Sequence, residues 1–467
     1  MGTDRAAGNL ARRLVDAGLA HPDPGPASMT AKDLTVVIPV RDHGECLGTL
    51  VDSILSSMDK EPTSKNQPYE MIIVDDGSED RAPVKSACSL LNARYICHEI
   101  PRGPAAARQT GMDAASTKLV YFLDADCIVG EDWFDGLLAH FNDPSVAAAA
   151  PRILPALSGH GLGLATNRLS IWARVATAYE SARSPLDLGS KPARVAPRGR
   201  VPYVPTAALA VRVSAVHAVG GFDLSMVVGE DVDLVWRLVE AGWTVRYDPS
   251  ARVAHQVRSG PLAFIRQRLS YGSSAAPLAM RHRGAVAPLS ISPWSVAAWS
   301  LASMGHLKAA VGLVGISTVL MARRLEALLD PAREALRLAG MGNLAAGWLV
   351  ADALRRAWWP LALPLAVITR KARRAVLLAF VIPPVVGWVG LELLRGDRRV
   401  RSGLLAWWAL WLVDDLAYGA GVWLGCARER TLAPLAPDLA LASMVQQIAP
   451  ILAPGALRAR FRDQHKA

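Results

Sequence analysis

Leu119-Val120-Tyr121-Phe122-Leu123-Asp124-Ala125-Asp126-Cys127 is a run of apolar, β-prone residues that ends abruptly in two carboxylates. The pattern predicts a buried strand that delivers charge to its carboxyl end. On an extended chain, Asp side chains at i and i+2 emerge on the same side, so both could face one divalent cation and the phosphates it carries. A solvated turn after a strand explains an isolated Asp-x-Asp equally well, so the reading depends on its surroundings.

Upstream, Leu34-Thr35-Val36-Val37-Ile38-Pro39-Val40 reads as another buried strand, followed by a helix with Leu47, Leu50, Ile54 and Leu55 at helical spacing. Tyr69 to Val74 is a second strand that runs into Asp75-Asp76-Gly77-Ser78, and Tyr95-Ile96-Cys97 is a short third. Strand, helix, strand begins a parallel α/β sheet, whose ligands bind beyond the carboxyl ends of the strands. Carboxylates there can accept hydrogen bonds from a ribose diol or a base N–H. Next, Pro101-Arg102-Gly103-Pro104-Ala105-Ala106-Ala107-Arg108 predicts a helix start with Arg108 one turn in, facing a nucleotide.

The 467-residue chain is 51% hydrophobic, which excludes a mainly disordered protein and allows two or three domains. Its formal charge of +10 is concentrated toward the C-terminus beside apolar segments. No zinc-finger, helix-turn-helix or RNA-binding motif accompanies that charge, so no nucleic-acid partner is expected, and a membrane surface is the better fit. Cysteines at 46, 88, 97, 127 and 426 form no CxxC pair, which suits reduced thiols in a cytosol. Residues 1–33 read as a polar extension and Pro-rich linker without an apolar signal core.

In this order, Ile38-Pro39-Val40, Asp75-Asp76-Gly77-Ser78, Arg102-Gly103 through Arg108, and Leu123-Asp124-Ala125-Asp126 resemble family 2 glycosyltransferases, nucleotide-sugar-dependent enzymes with the GT-A fold. The resemblance covers roughly residues 34–275 and implies a Rossmann-like catalytic domain over 34–283. It assigns Pro39, Val40, Arg41, Asp75, Asp76, Arg102, Arg108, Asp124 and Ala125 to the nucleotide-sugar, and Asp124 and Asp126 to Mg²⁺ or Mn²⁺ on its diphosphate.

Residues 151–200 are poorly periodic and read as acceptor-side loops around a helix near Leu169 to Tyr179, after which Val201 to Val211 reads as a strand. Gly220-Gly221-Phe222-Asp223 is a tight turn, and Gly229-Glu230-Asp231-Val232-Asp233 opens an apolar-periodic helix. Acids in a first helical turn are favoured by the helix dipole, which accounts for one or two of these three. The resemblance implies that Asp231 is the catalytic base, with Glu230 as the substitute; Asp233 is assigned to helix structure. It also implies that His255, after the strand that begins near Trp243, is a third metal ligand. Arg266-Gln267-Arg268 resembles a segment that closes over the diphosphate, with Arg268 as the contact. The full Gln-x-x-Arg-Trp of processive synthases is missing, which argues against a long-chain polymerase.

From Gly284 to residue 467 the composition turns to Ala, Leu, Val and Trp with clustered Arg. Candidate membrane segments are Trp294 to Ala322, Leu344 to Thr369, Ala375 to Leu394 and Gly403 to Gly425, interrupted by Lys308, Asp352, Arg355, Arg356, Glu392, Asp414 and Asp415. Every link between them carries a basic cluster: Arg323-Arg324, Arg370 to Arg374 and Arg395 to Arg401. Links on alternating sides of a bilayer should not all be basic. The expectation is therefore an α-helical, membrane-associated region lying on or dipping into one face of the cell membrane, with the catalytic domain cytoplasmic. Within the family, Val201 to Leu209 and Val228 to Leu238 are most similar to the group serving the mycofactocin redox-cofactor system. That similarity implies UDP-glucose as donor and a peptide-derived acceptor (premycofactocin), extended into a short β-1,4-glucan with inversion at the anomeric carbon. The alternatives are transfer to a lipid or polyprenyl phosphate, a cell-envelope polysaccharide glycosyltransferase, or a non-catalytic scaffold that binds nucleotide-sugar.

Overall fold

The structure is a computed structural model and describes residues 5–16, 18, 20–42, 44–59, 70–131, 133–156, 171–257, 260–326, 329–394 and 403–438. Its chain divides into two compact units after Phe264. The composition change near Gly284 lies inside the second.

The first unit is built on a nine-stranded mixed sheet with helices packed against it. Its strands are β1 (Leu34–Val40), β2 (Glu70–Asp75), β3 (Arg94–Cys97), β4 (Leu119–Leu123), β5 (Cys127–Val129), β6 (Val146–Pro155), β7 (Ala193–Arg194), β8 (Ala208–Arg212) and β9 (Thr244–His255). They lie in the order β3-β2-β1-β4-β8-β6-β9-β5, with β7 added on β9. From β3 to β4 all pairings are parallel, while β8 runs antiparallel to both β4 and β6. The parallel strands are near-continuous Val, Ile and Leu because both sheet faces are covered. On β4, Tyr121 and Phe122 point to opposite faces and are both fully buried. Tyr121 meets Trp133 edge-on at 4.9 Å, and Phe122 meets Phe222 edge-on at 5.4 Å. Each such ring contributes on the order of 1.5–3 kcal/mol by leaving water. β1, β2, β3 and β4 therefore end together, and their carboxyl ends carry Arg41, Asp75-Asp76, His98 and Asp124.

Three sequence expectations change. Val201 to Ala207 is not part of a strand, since Pro202 and Pro205 supply no N–H to a ladder; β8 begins at Ala208, and Val201 keeps a single bridge to Val195. Residues 151–155 belong to the ten-residue strand β6, so only part of the expected loop is loop; 157–170 lie outside the described residues, and the expected helix is seen as Ile171–Arg183. β9 continues through Pro249, where a register shift against β6 between Pro151 and Arg152 absorbs the irregularity.

Helices make up the second unit. Pro293–Ser303 and Leu307–Arg324 are separate helices, followed by Pro331–Arg356, Trp359–Ile368, Arg370–Leu394 and Leu404–Glu429. Several charged residues that interrupt the apolar pattern are turned inward and paired. Arg355 and Asp415 are both fully buried and joined at 2.8 Å, and Arg355 also donates to Asp352. Helix Leu404–Glu429 crosses the preceding chain closely at small residues: a Cβ on Gly421 would collide with the Leu269 carbonyl. Among the described residues, one helix, Arg370–Leu391, is long and apolar enough to cross a membrane.

Candidate active site

Asp124 and Asp126 do not project side by side from an extended strand. β4 ends at Leu123, and the chain turns so that Cys127 N–H donates to the Asp124 carbonyl at 3.0 Å before entering β5. That turn sends the two carboxylates to different partners, with Ala125 buried between them. Asp126 lies 3.1 Å from His255 Nε2, an approach set by the pairing of Cys127 opposite His255 in β5 and β9. Asp124 Oδ1 accepts from Arg108 Nη2 at 2.7 Å.

Arg108 lies in helix Pro104–Ala114, nearly buried, and its Nη1 donates to Glu230 Oε1 at 2.7 Å. The two carboxylates raise its pKa further above the usual arginine range against the opposing effect of burial. Glu230 opens helix Glu230–Glu240. Burial and the neighbouring Asp231 push its carboxyl up to about 7, against the pull of Arg108. Asp231 is half-buried, and loss of hydration raises its pKa as well. Its Oδ1 accepts from Val232 N–H at 2.8 Å, and the Thr206 backbone adds a second hydrogen bond. Asp233 is buried and pairs with Arg237 at 2.7 Å, in the helix-structural place expected for it.

The first acidic pair faces inward. Asp75 accepts from Ser78 N–H at 2.8 Å and from Tyr95 Oη at 2.9 Å. Asp76 accepts from Arg102 N–H at 2.8 Å and Gly103 N–H at 2.7 Å, and it lies 2.7 Å from His98 Nδ1. The Asp76 carboxylate fixes the 101–103 loop at the sheet end. Pro39 and Val40 complete β1 in register with Val74 and Asp75, while the Arg41 and Arg102 side chains are exposed beyond the strand ends. Arg268 belongs to the second unit. There it is buried, with Nε donating to Asp414 at 2.9 Å, so its charge is already matched by a carboxylate.

Several residues that organise this end were not singled out from the sequence. His98 is buried between Asp76 and Thr110, whose Oγ1 lies 3.0 Å from its Nε2. A polar residue directly after a parallel strand was the available signal, the same one that marked Asp76 and Asp124. Gln109 accepts from Phe222 N–H at 2.9 Å, and Arg237 donates to the carbonyls of Val219 and Gly221. Gly221 has φ +74°, and a Cβ there would strike Gln109 Oε1, so this turn requires glycine.

Among the described residues, no three His, Cys, Asp or Glu side chains converge to enclose an ion by themselves. Asp126 with His255 offers one carboxylate and one imidazole side by side, and Asp124 is two residues away. Such a donor set suits Mg²⁺ or Mn²⁺ that takes its remaining ligands from a diphosphate and water. Cys127 is buried with its Sγ near the Ala207 carbonyl, and burial pushes its thiol well up, which leaves it a packing residue.

The family models described as "Glycosyl transferase family 2" and "Glycosyl transferase family group 2" match residues 35–182 and 119–418. A pre-mycofactocin glycosyltransferase of Mycobacterium tuberculosis (strain ATCC 25618 / H37Rv) is 40% identical over 443 residues, covering 93% of this chain and 88% of its own. Glycosyltransferase AglE of Haloferax volcanii is 25% identical over 48% of this chain and 67% of its own. Among solved structures, a mannosyltransferase from Pyrobaculum calidifontis in complex with GDP-Man and Mn²⁺ aligns with a TM-score of 0.40 at 16% identity, covering 73% of this chain and 95% of its own.

Proposed function

The chain belongs to glycosyltransferase family 2, and from that premise we propose that it moves glucose from UDP-glucose to a hydroxyl of a peptide-derived redox-cofactor precursor, premycofactocin, building a short β-1,4-glucan. The observation that carries this reading is the 40% identity to a pre-mycofactocin glycosyltransferase along nearly the whole of both chains. The site chemistry supports it: the Arg108 guanidinium joins Asp124, on the donor side, to the helix that begins at Glu230-Asp231.

In this mechanism Asp231 takes the proton of the acceptor hydroxyl as its oxygen attacks the anomeric carbon. The bond from that carbon to the diphosphate breaks on the opposite face, and its electron pair leaves with the nucleoside diphosphate, so the centre inverts. Arg108 keeps a positive charge beside the donor-side carboxylate. A divalent ion held by Asp126, His255 and Asp124 would draw charge from the departing diphosphate. The 101–103 loop and the end of β1 hold the nucleoside.

A panel of UDP-, GDP- and TDP-sugars tests this reading, with nucleotide release followed in the presence and absence of the peptide-derived acceptor. Acceptor-dependent release from UDP-glucose is expected, lost on chelation and restored by Mn²⁺ or Mg²⁺. Release that is insensitive to chelation, or that depends on a polyprenyl phosphate instead, would remove the assignment.

We place the protein at the cell membrane with its first unit in the cytoplasm. Support comes from the second unit, where Val367, Ile368 and Leu405 are each more than three-quarters exposed and the basic run Arg370, Lys371, Arg373 and Arg374 is exposed beside the first two. The full chain should float with vesicles containing anionic lipid better than with neutral ones, and dissociate from the anionic ones as salt rises. Failure to float with either would exclude a membrane-bound protein.

A further inference from the structure

Helix Pro104–Ala114 grips the acceptor half of the first unit at two successive residues. Arg108 reaches Glu230, the first residue of helix Glu230–Glu240, and Gln109 holds the backbone N–H of Phe222 in the turn that precedes that helix. Arg237, on the same helix, holds the other side of that turn through the carbonyls of Val219 and Gly221. Arg108 also reaches back to Asp124 at the end of β4. One guanidinium therefore spans the donor-side carboxylate and the helix that presents Asp231.

The two adjacent acids are differently placed. Glu230 is 7% exposed and spends Oε1 on the guanidinium. Asp231 feels the Arg108 charge, but its hydrogen bonds among the described residues come from the backbone of Val232 and Thr206, which leave a carboxylate able to take a proton. Were Glu230 the base, it would have to take a proton while its Oε1 is committed to Arg108, the contact that ties this helix to Asp124.

We propose that Glu230 is a positioning residue: its carboxylate holds Arg108 against Asp124 and so fixes the spacing between the diphosphate-binding strand end and the helix that carries Asp231. This inference rests on the donor-site reading given above.

The test uses the full-length protein, with UDP plus Mn²⁺ as the binding probe and donor kinetics as the second readout. Glu230→Gln keeps an acceptor oxygen but removes the charge, while Arg108→Lys keeps the charge but loses the fork. Each is expected to weaken UDP binding and raise donor KM about tenfold, with kcat changed by less than about tenfold. Because both act through one contact, the double variant should be no weaker than the worse single variant. If Glu230→Gln lowers kcat about a thousandfold with UDP binding unchanged, Glu230 is the base and the inference fails. It also fails if the two substitutions add fully. Should Glu230→Gln not fold, Arg108→Lys carries the test by itself: unchanged UDP affinity and donor KM would overturn the inference. Wild-type protein that binds no UDP would overturn the donor-site reading together with this one, whereas equal binding by wild type and Glu230→Gln overturns this one alone.

Discussion

Asp231→Asn is expected to lower kcat by about 10²–10⁴-fold, the usual contribution of a positioned general base, with UDP affinity unchanged. The substitution conserves shape, and the amide oxygen can still accept from Val232 N–H, so helix Glu230–Glu240 should keep its start. What disappears is the ability to hold a proton. The base works only when ionised, so the wild-type rate should rise with pH as the acid loses its proton. Burial raises the Asp231 pKa above the ordinary aspartate value, and Glu230 next to it is pushed up to about 7. The acid limb of kcat/KM should therefore fall nearer neutrality than an exposed aspartate would place it, and it should flatten in Asp231→Asn. Near wild-type turnover by the variant, or an unchanged acid limb, would show that another group takes the proton.

This site was legible in the sequence wherever a residue's place in the fold follows from its position on a strand. Asp75-Asp76 and Asp124 sit at the carboxyl ends of parallel strands because the apolar runs Met71–Val74 and Leu119–Leu123 deliver them there. His255 could be placed beside Asp126 only through the pairing of β5 with β9, a long-range register that no local pattern encodes. The direction in which a side chain points was less legible still. Asp124 and Asp126 were expected to emerge on one side of an extended strand, but the chain turns after Asp124, and one carboxylate pairs with Arg108 while the other lies beside His255. Asp76 was placed at the strand end but not its partners, two loop N–H groups and His98, with which a buried carboxylate beside backbone donors gains by pairing. Arg268 was assigned by its segment's resemblance, and its partner, Asp414, lies far away in sequence. Composition predicted the helical second unit. The charges that spoiled its membrane pattern could not be paired from the sequence alone, because Arg355 and Asp415 come together only through helix packing.

That pair carries the largest stability effect expected in the second unit. Asp415 is fully buried and accepts from Arg355 Nε at 2.8 Å and from Trp411 Nε1 at 2.9 Å, with Arg356 Nη1 at 3.7 Å. Asp415→Ala would leave the buried guanidinium of Arg355 without this carboxylate and the indole N–H without an acceptor, a loss of about 3–5 kcal/mol. Asp415→Asn keeps an acceptor and should cost less. Replacing a whole buried ion pair with apolar residues is often neutral, but here it should not be. Pro383 and Pro384 lie inside helix Arg370–Leu394 and have no N–H, so the carbonyls four residues back, at Ala379 and Phe380, lack their helical donors. Arg355 Nη1 donates to the first, and Trp408 Nε1 donates to the second at 2.9 Å. The double variant Arg355→Met, Asp415→Leu would thus still leave the Ala379 carbonyl buried without its donor, at about 1–3 kcal/mol. Thermal melting should rank the proteins as wild type, then Asp415→Asn or the double variant, then Asp415→Ala, with the loss confined to the transition of the second unit. A double variant as stable as wild type would show that the proline-freed carbonyl needs no donor from Arg355.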